Sequence, residues 1–448
     1  MKKLNIIILI TILLGSGCKK YLDKKPDKKL VTPSTLSDLQ ALMDNSNYMN
    51  IYAWGAGEAS ADDYYLTDKV WSALSSETDR QAYIWGTDIL TGTTNNWSQI
   101  YRTIYLTNVV LDYINKVTLE NNTEQDRNNV KGEALFFRSF DFFRLAVNFA
   151  NAYDDKTAQN DLGIPLRLSS DFNIKSTRAT VKETYDQIIS DLLKAVPLLR
   201  PYSAHVLRPS KGAAYALLAR VYLSMRNYDK AGIYADSSLQ LNNKLVNYND
   251  LNESDNYPIP AFNVETLFYV TGGGGTLFNF RAKIDSNLYR RYTANDLRKS
   301  IFFNENADGT NAFYGNYSGK SNLFQGLATD EQYLIKAECL ARANKITEAM
   351  DELNKLLITR WKTGTFVPYS AKDSEDALSM ILQERRKELI MRDIRWQDIK
   401  RLNKEGTNIT LKRILNGQEY ELPPNSPRFA LPIPTYVIEM TGMQQNPR

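Results

Sequence analysis

The sequence predicts a mainly α-helical protein, a scaffold of helix hairpins that carries long, irregular, loop-rich insertions and a few short strands. Three observations predict it. The stretch 209–241, PSKGAAYALLARVYLSMRNYDKAGIYADSSLQL, holds two helical periods joined by a tight turn. Residues 333–356 repeat its small and apolar positions. Two other long stretches, about 45–97 and 242–329, mix aromatics, glycines and acids without any sustained period.

In the first hairpin Tyr215, Leu218, Ala219 and Tyr222 recur at steps of three and four and share one helical face. Ala231, Ala235 and Ser238 make a narrow facing stripe after the turn Asn227-Tyr228-Asp229-Lys230, and small residues let the helices approach closely. This order resembles one tetratricopeptide unit, a motif of roughly 34 residues. Laying Ala349 over Ala231 puts Tyr333, Ala337, Leu340, Leu353 and Leu356 on the matching positions. A degenerate third unit pairs residues 129–149 with 181–199. A lone hairpin cannot bury its apolar face, so the units must stack on neighbours. A plain solenoid keeps a fixed period, whereas these copies are far apart, so function belongs on the segments between them.

The remaining helices follow the same logic. Leu36, Leu39, Leu42 and Met43 form a short helix that Ser34 can cap. Trp97, Tyr101, Ile104 and Tyr105 begin a core helix, Thr180 caps another, and residues 377–402 read as one long charged helix. Asn416-Gly417 marks a hairpin turn. The run Gly272-Gly273-Gly274-Gly275 has no Lys-Ser/Thr after it and no strand-turn-helix context, so it reads as a flexible loop rather than a phosphate cradle.

With 448 residues, 43% of them hydrophobic, the chain can bury a large core. Its formal net charge of +4 includes Lys2 and Lys3, which leaves no strong basic field and sets nucleic acid aside. Residues 1–17 read as a secretory signal: Lys2-Lys3, an apolar run at 4–14 too short to span a bilayer, and Gly15-Ser16-Gly17. Leu14-Gly15-Ser16-Gly17-Cys18 resembles the bacterial lipoprotein box, with its leucine four rather than three residues before the cysteine. Cleavage there makes Cys18 the lipidated amino terminus. The other cysteine, Cys339, lies in a helical pattern, so no disulfide framework is expected. Residues 18–30 then form a lipidated polar tether and residues 31–448 one domain, with the scaffold at about 100–150, 180–241 and 330–402.

The 27 tyrosines and 6 tryptophans supply rings able to stack on the apolar faces of ligands. Trp97 and Trp396 fall in helical patterns and Trp361 ends a repeat helix, so the core claims them. Trp54, Tyr64 and Trp71 sit among glycines and acids of the first irregular segment, and they are the candidate ligand platforms, with Tyr289 and Tyr292 from the second as partners. Catalysis finds little support. A glycosidase needs an acid pair held about 5 to 9.5 Å apart, and no spacing singles out Asp62, Asp63 or Asp68. His205 is the only histidine, which excludes histidine-based metal clusters and leaves a serine triad one loop residue to use. No cofactor and no metal site is expected.

Three stretches carry a resemblance to a known family. Cys18-Lys19-Lys20-Tyr21-Leu22-Asp23 with Pro26, then Glu384-Arg385-Arg386-Lys387-Glu388-Leu389 with Arg395-Trp396-Gln397-Asp398-Ile399-Lys400-Arg401-Leu402, and finally Leu431-Pro432-Ile433-Pro434 with Gln445-Asn446-Pro447 resemble the SusD/RagB family of Bacteroidetes surface glycan-binding lipoproteins. Asp393 stands where that family usually has glycine. The resemblance implies tetratricopeptide-like helix pairs holding an irregular ligand-binding part, a lipid anchor in the outer membrane, an oligosaccharide ligand and a SusC-like TonB-dependent transporter as partner. Some relatives handle peptides, and a tetratricopeptide scaffold that binds only protein is the remaining alternative. Glu384, Arg385, Arg395 and Asp398 are expected to form a partly buried ion-pair network rather than a reaction centre.

Overall fold

The structure is a computed structural model that describes residues 32–52, 55–86, 95–273 and 275–448. Its scaffold is a row of helices. α1 (Leu36–Met43) begins it, capped by Thr35, whose hydroxyl accepts the Asp38 N–H at 3.1 Å while Asp38 Oδ2 accepts the Thr35 N–H at 3.0 Å. The cap is therefore Thr35 and not Ser34, because this reciprocal box needs an acid three residues on. α2 (Asn96–Tyr113), α3 (Glu124–Phe149) and α4 (Val181–Ala195) follow, α4 starting from Thr180 in a second such box with Glu183. α3 packs on both of its neighbours, which is the third helix pair expected from the sequence. Trp97 is buried against Phe149, ring centroids 5.0 Å apart in an edge-on arrangement.

α5 (Lys211–Ser224) and α6 (Tyr228–Leu241) make the first hairpin; α7 (Thr329–Arg342) and α8 (Ile346–Leu357) make the second. Ala219, Ala231, Ala235 and Ser238 are fully buried, and so are Ala337, Ala349, Leu353 and Leu356 on the matched positions. The two turns are also alike. Arg226 at φ 63° and Asn344 at φ 60° occupy the same aligned position, and in each turn the next N–H reaches back to the carbonyl five residues earlier, Asn227 to Tyr222 and Lys345 to Leu340, both at 2.9 Å. A left-handed residue with that bond is the Schellman way of ending a helix. α6 packs directly on α7 although residues 242–328 separate them, so the row is continuous in space.

The carboxy-terminal segment departs from one expectation. Residues 377–402 are two helices, α9 (Ser374–Glu388) and α10 (Arg395–Asn403), broken where Met391 and Asp393 adopt φ 57° and 60°. A left-handed residue interrupts the helical hydrogen-bond ladder and favours glycine, the residue the resemblance led us to expect at 393. Leu411–Leu415 and Gln418–Leu422 pair as a hairpin through Asn416 at φ 51° and Gly417 at φ 78°, both positive as a tight primed turn requires.

α9 and α10 carry a buried ion-pair network. Arg298, fully buried, meets Asp296 at 2.8 Å, Glu384 at 2.7 Å and Glu388 at 2.9 Å. Arg360 joins Glu388 at 2.7 Å to Glu265 at 2.8 Å, and Asp398 accepts from Arg385 at 2.8 Å and Arg401 at 2.7 Å. Burial raises the Asp398 carboxyl, but Arg385 and Arg401 outweigh it and hold it at about 2. The four residues expected to form one network are all ion-paired but fall into three sets: Glu384 with Arg298 and Lys387, Arg385 with Asp398, and Arg395 with Asp62.

Two outcomes follow from these pairs. Arg360→Ala strands Glu265 without its base, leaves Glu388 to Arg298 alone, and should cost about 3–5 kcal/mol in urea unfolding, the range for breaking a buried pair. The exposed Lys182–Asp186 pair at 2.6 Å should give no measurable change when Lys182 becomes alanine. Asp398 has a depressed folded-state value, so its stabilisation is present above the unfolded value and is lost as pH falls through about 4 to about 2. Asp398→Asn should therefore flatten the acid limb of the stability curve while lowering stability near neutrality, read from urea midpoints across that range.

Candidate ligand-binding surface

The two irregular segments form one layer. Tyr64–Tyr65 pairs antiparallel with Lys283–Ile284, Ile51 bridges Thr271, and the helix Glu77–Tyr83 packs on the turn Gly275–Leu277. Thr271–Gly272 is itself a strand against Leu323–Phe324, so the glycine run begins as a pinned edge and not as a free loop. A Cβ at Gly272 would run into the Gln325 carboxamide, which the Arg144 guanidinium holds in place by donating to its oxygen at 2.8 Å. The layer has its own core of Tyr64, Leu66, Tyr83, Tyr248, Tyr292, Phe302, Phe303 and Tyr317.

That core decides the fate of the candidate rings. Tyr64 is 1% exposed and its hydroxyl lies 2.8 Å from both the Ala59 carbonyl and Thr276 Oγ1. Tyr292, also 1% exposed, donates to the Lys387 carbonyl at 2.8 Å. Both are packing residues rather than platforms: an irregular segment that folds onto itself buries rings without displaying a period. Trp54 lies outside the described residues. Trp71 is half-buried, with its indole N–H donating to the Arg80 carbonyl at 3.3 Å. Tyr289 is half-buried, edge-on to Phe303 at 5.4 Å with the Lys299 ammonium 5.3 Å from its ring. The four described candidates meet one apolar cluster, Tyr64 and Tyr292 inside it and Trp71 and Tyr289 packed against it.

Two acids of the first segment, Asp62 and Asp63, are structural too. Asp62 receives Arg395 at 2.6 Å and Arg386 at 3.2 Å, and Asp63 meets Arg386 at 3.3 Å. Burial raises the Asp62 carboxyl, yet Arg395 and Arg386 prevail and hold it well below the usual carboxylate range. This pairing fastens the first segment to the helices that carry the carboxy-terminal signature.

A different set of rings reaches solvent. Phe278 and Phe280 stack at 5.2 Å with 18° between their planes, and the Arg281 guanidinium lies 5.5 Å and 5.1 Å from the two centroids. Phe280 is 64% exposed. Between these rings, Asn279 donates to the Tyr257 hydroxyl at 3.3 Å, and Tyr257 faces Tyr314 at 5.6 Å. On the neighbouring helix Glu77–Tyr83, burial raises the Asp79 carboxyl while Arg281 draws it down. Apolar faces, an amide and a guanidinium thus share one stretch of surface over the buried Asp79 carboxyl, the combination that a ring with one C–H face and a rim of hydroxyls requires. No local period in the sequence announces it, because residues 278–282 are a turn in which the Arg281 and Ala282 N–H groups both donate to the Phe278 carbonyl at 2.8 Å.

Residues 20–223 match a family model described as starch-binding and associating with the outer membrane, and residues 327–448 match the SusD family model. The chain belongs to the SusD/RagB family. The SusD-like protein P2 of Formosa agariphila is 24% identical over 476 residues, spanning 90% of this chain and 91% of that one. A SusD superfamily protein from Bacteroides thetaiotaomicron superposes with a TM-score of 0.74 at 25% identity, covering 92% of this chain and 100% of the other. A laminarin-binding SusD-like protein superposes at 0.65 with 17% identity, over 92% and 98%. Carbohydrate binding and outer-membrane association are properties of the SusD/RagB family. In this member Tyr257, Phe278, Phe280 and Tyr314 all fall between the two matched stretches.

Packing and platform roles separate by stability. Tyr64→Ala should cost about 3–5 kcal/mol of folding free energy, as for other buried aromatics, and Tyr64→Phe about 1 kcal/mol for the lost hydrogen bonds. Phe280→Ala should leave the melting temperature where it was, measured by calorimetry on all three variants.

Proposed function

We propose that this protein is a cell-surface lipoprotein that captures oligosaccharides on its inserted layer and hands them to a SusC-like TonB-dependent transporter in the outer membrane. The observation that carries the reading is the exposed, arginine-flanked stack of Phe278 and Phe280 beside Asn279 and the Tyr257–Tyr314 pair. The laminarin-binding relative of the same fold supports a glycan over a peptide as the ligand class. Cys18, outside the described residues, is the proposed lipid attachment point, and residues 18–30 its tether. Among the described residues no helix is long and apolar enough to cross a membrane. Stable anchoring by lipid takes two chains or more, which a triacylated cysteine supplies.

We read the protein as non-catalytic. Asp62 and Asp63 are committed to arginines and are not a free acid and base. His205 lies edge-on to Phe262 at 4.6 Å, and its Nδ1 accepts the Leu207 N–H at 3.2 Å. In a serine triad that nitrogen carries the proton donated to an orienting carboxylate, so His205 is turned to the wrong use.

A glycan array on the mature protein tests the reading. Binding of a β-glucan such as laminarin or of an α-glucan is expected, without release of reducing ends. Phe280→Ala should weaken that binding by about 1–3 kcal/mol, the range for loss of a stacking platform. A protein that retains no glycan, or that cleaves one, would overturn it. Cys18→Ala in the native host should move the protein from the outer membrane to the soluble fraction, and protease shaving of intact cells should remove the unaltered protein.

A further inference from the structure

α3 ends at Phe149, and its last carbonyls turn toward α10. Lys400, 6% exposed, donates to the Val147 carbonyl at 2.6 Å and the Ala150 carbonyl at 2.7 Å. A cation is favoured at a helix carboxy terminus, but two carbonyls supply only partial charge. Five other buried bases are treated differently, although Arg413 too meets a carbonyl, that of Ala61, in place of a carboxylate. Arg138, Arg220, Arg360, Lys387 and Arg401 each meet a carboxylate within 2.9 Å. Among the described residues Lys400 has no ion-pair partner, and burial alone pushes its amine down to about 7.

Beside it, where the chain leaves α3, lies a cleft of about 230 Å³ lined by Lys400, Lys404, Asn151, Asn425, Ser426 and Phe429. Its walls are braced: the Asn425 amide donates to the Asn403 carbonyl at 3.1 Å, and Phe429 packs on Trp396 at 4.7 Å. Lys404 is only loosely engaged, 3.4 Å from Asp154. Asp161 also lines the cleft and accepts the Thr157 hydroxyl at 2.6 Å without losing its charge, so two lysines face one carboxylate there and the balance still favours an anion. The cleft therefore joins an uncompensated buried ammonium and a second lysine to an apolar wall and a volume suited to one small ring.

We propose that this cleft binds a small carboxylate, the charge class of a uronic acid unit, with Lys400 as its counter-ion and Lys404 and Asn151 at its rim. An anion entering there offsets the cost of holding the ammonium out of water, a gain that a neutral sugar cannot supply. The site shares no lining residue with the Phe278–Phe280 surface and reads charge where the other reads apolar faces.

Equilibrium dialysis with radiolabelled glucuronate, and with glucose as the neutral control, tests it on the mature protein. Saturable glucuronate binding is expected at about pH 6, weakened about tenfold or more at about pH 8.5, because the ligand stays ionised over that range while Lys400 loses its proton. Glucose should not bind there. Lys400→Met and Asn151→Leu should each abolish glucuronate binding, and Phe280→Ala should retain it. Should Lys400→Met fail to fold, as judged by its melting curve, Asn151→Leu decides alone. Absence of saturable binding at the lower pH, retention by a folded Lys400→Met or by Asn151→Leu, or loss in Phe280→Ala would overturn the proposal.

Discussion

Arg298 is completely buried and holds Asp296, Glu384 and Glu388 at once, and the position of the second inserted segment depends on how that charge is balanced. Taking a guanidinium out of water is repaid only when its donors are filled by well-placed acceptors. Here Asp296 comes from the second insertion and Glu384 and Glu388 from α9, so the balance can be met only with the insertion docked. Lys387 adds a second base against Asp296 and Glu384, and Arg360 carries the chain of charges from Glu388 to Glu265. Three bases thus face four carboxylates. The surplus is relieved at Glu265, whose carboxyl is pushed up to about 7, first by burial and against the pull of Arg360.

A second clasp acts on the first insertion. Arg386 and Arg395, one from α9 and one from α10, close on Asp62, and Arg386 also reaches Asp63. The same short stretch of sequence therefore fixes both irregular segments from below, leaving their outer side to carry Phe280 into solvent. Such an arrangement separates two roles, with fastening charges on the scaffold helices and exposed rings on the loops. It also explains why acids that look available for chemistry in the sequence are occupied in the fold.

The aromatic residues show where reading the chain as a string stops. Tyr64 and Phe280 both sit in irregular segments among glycines and polar residues, and nothing local tells them apart. Tyr64 is drawn inward because its strand pairs with Lys283–Ile284 and its hydroxyl finds Ala59 and Thr276; Phe280 is left outside by a turn that begins just beyond that pairing. In helices the period of 3.6 announces which side is buried, whereas a segment folded on itself has no such period to announce. Trp97 and Trp396 could be assigned to the core for that reason, and Tyr64 and Tyr292 could not.

By itself the sequence determined the helix pairs, the capping of α4 by Thr180, the Asn416-Gly417 hairpin and the existence of buried ion pairs at Glu384 and Asp398. Each of these is written within a few turns of chain, in spacing or in the chemistry of a single cap or turn. The division of residues 377–402 into α9 and α10 was not legible, since left-handed geometry at Asp393 is imposed by what packs around it and leaves no mark in its neighbours. Only the tertiary structure decided which rings face solvent, which carboxylates are already spent on arginines, and that Lys400 lies buried without an acid beside it. The physical reason is common to all three: burial and ion pairing are settled by contacts across more than two hundred residues, such as Asp62 with Arg395 and Val147 with Lys400, and no local pattern encodes a partner that distant.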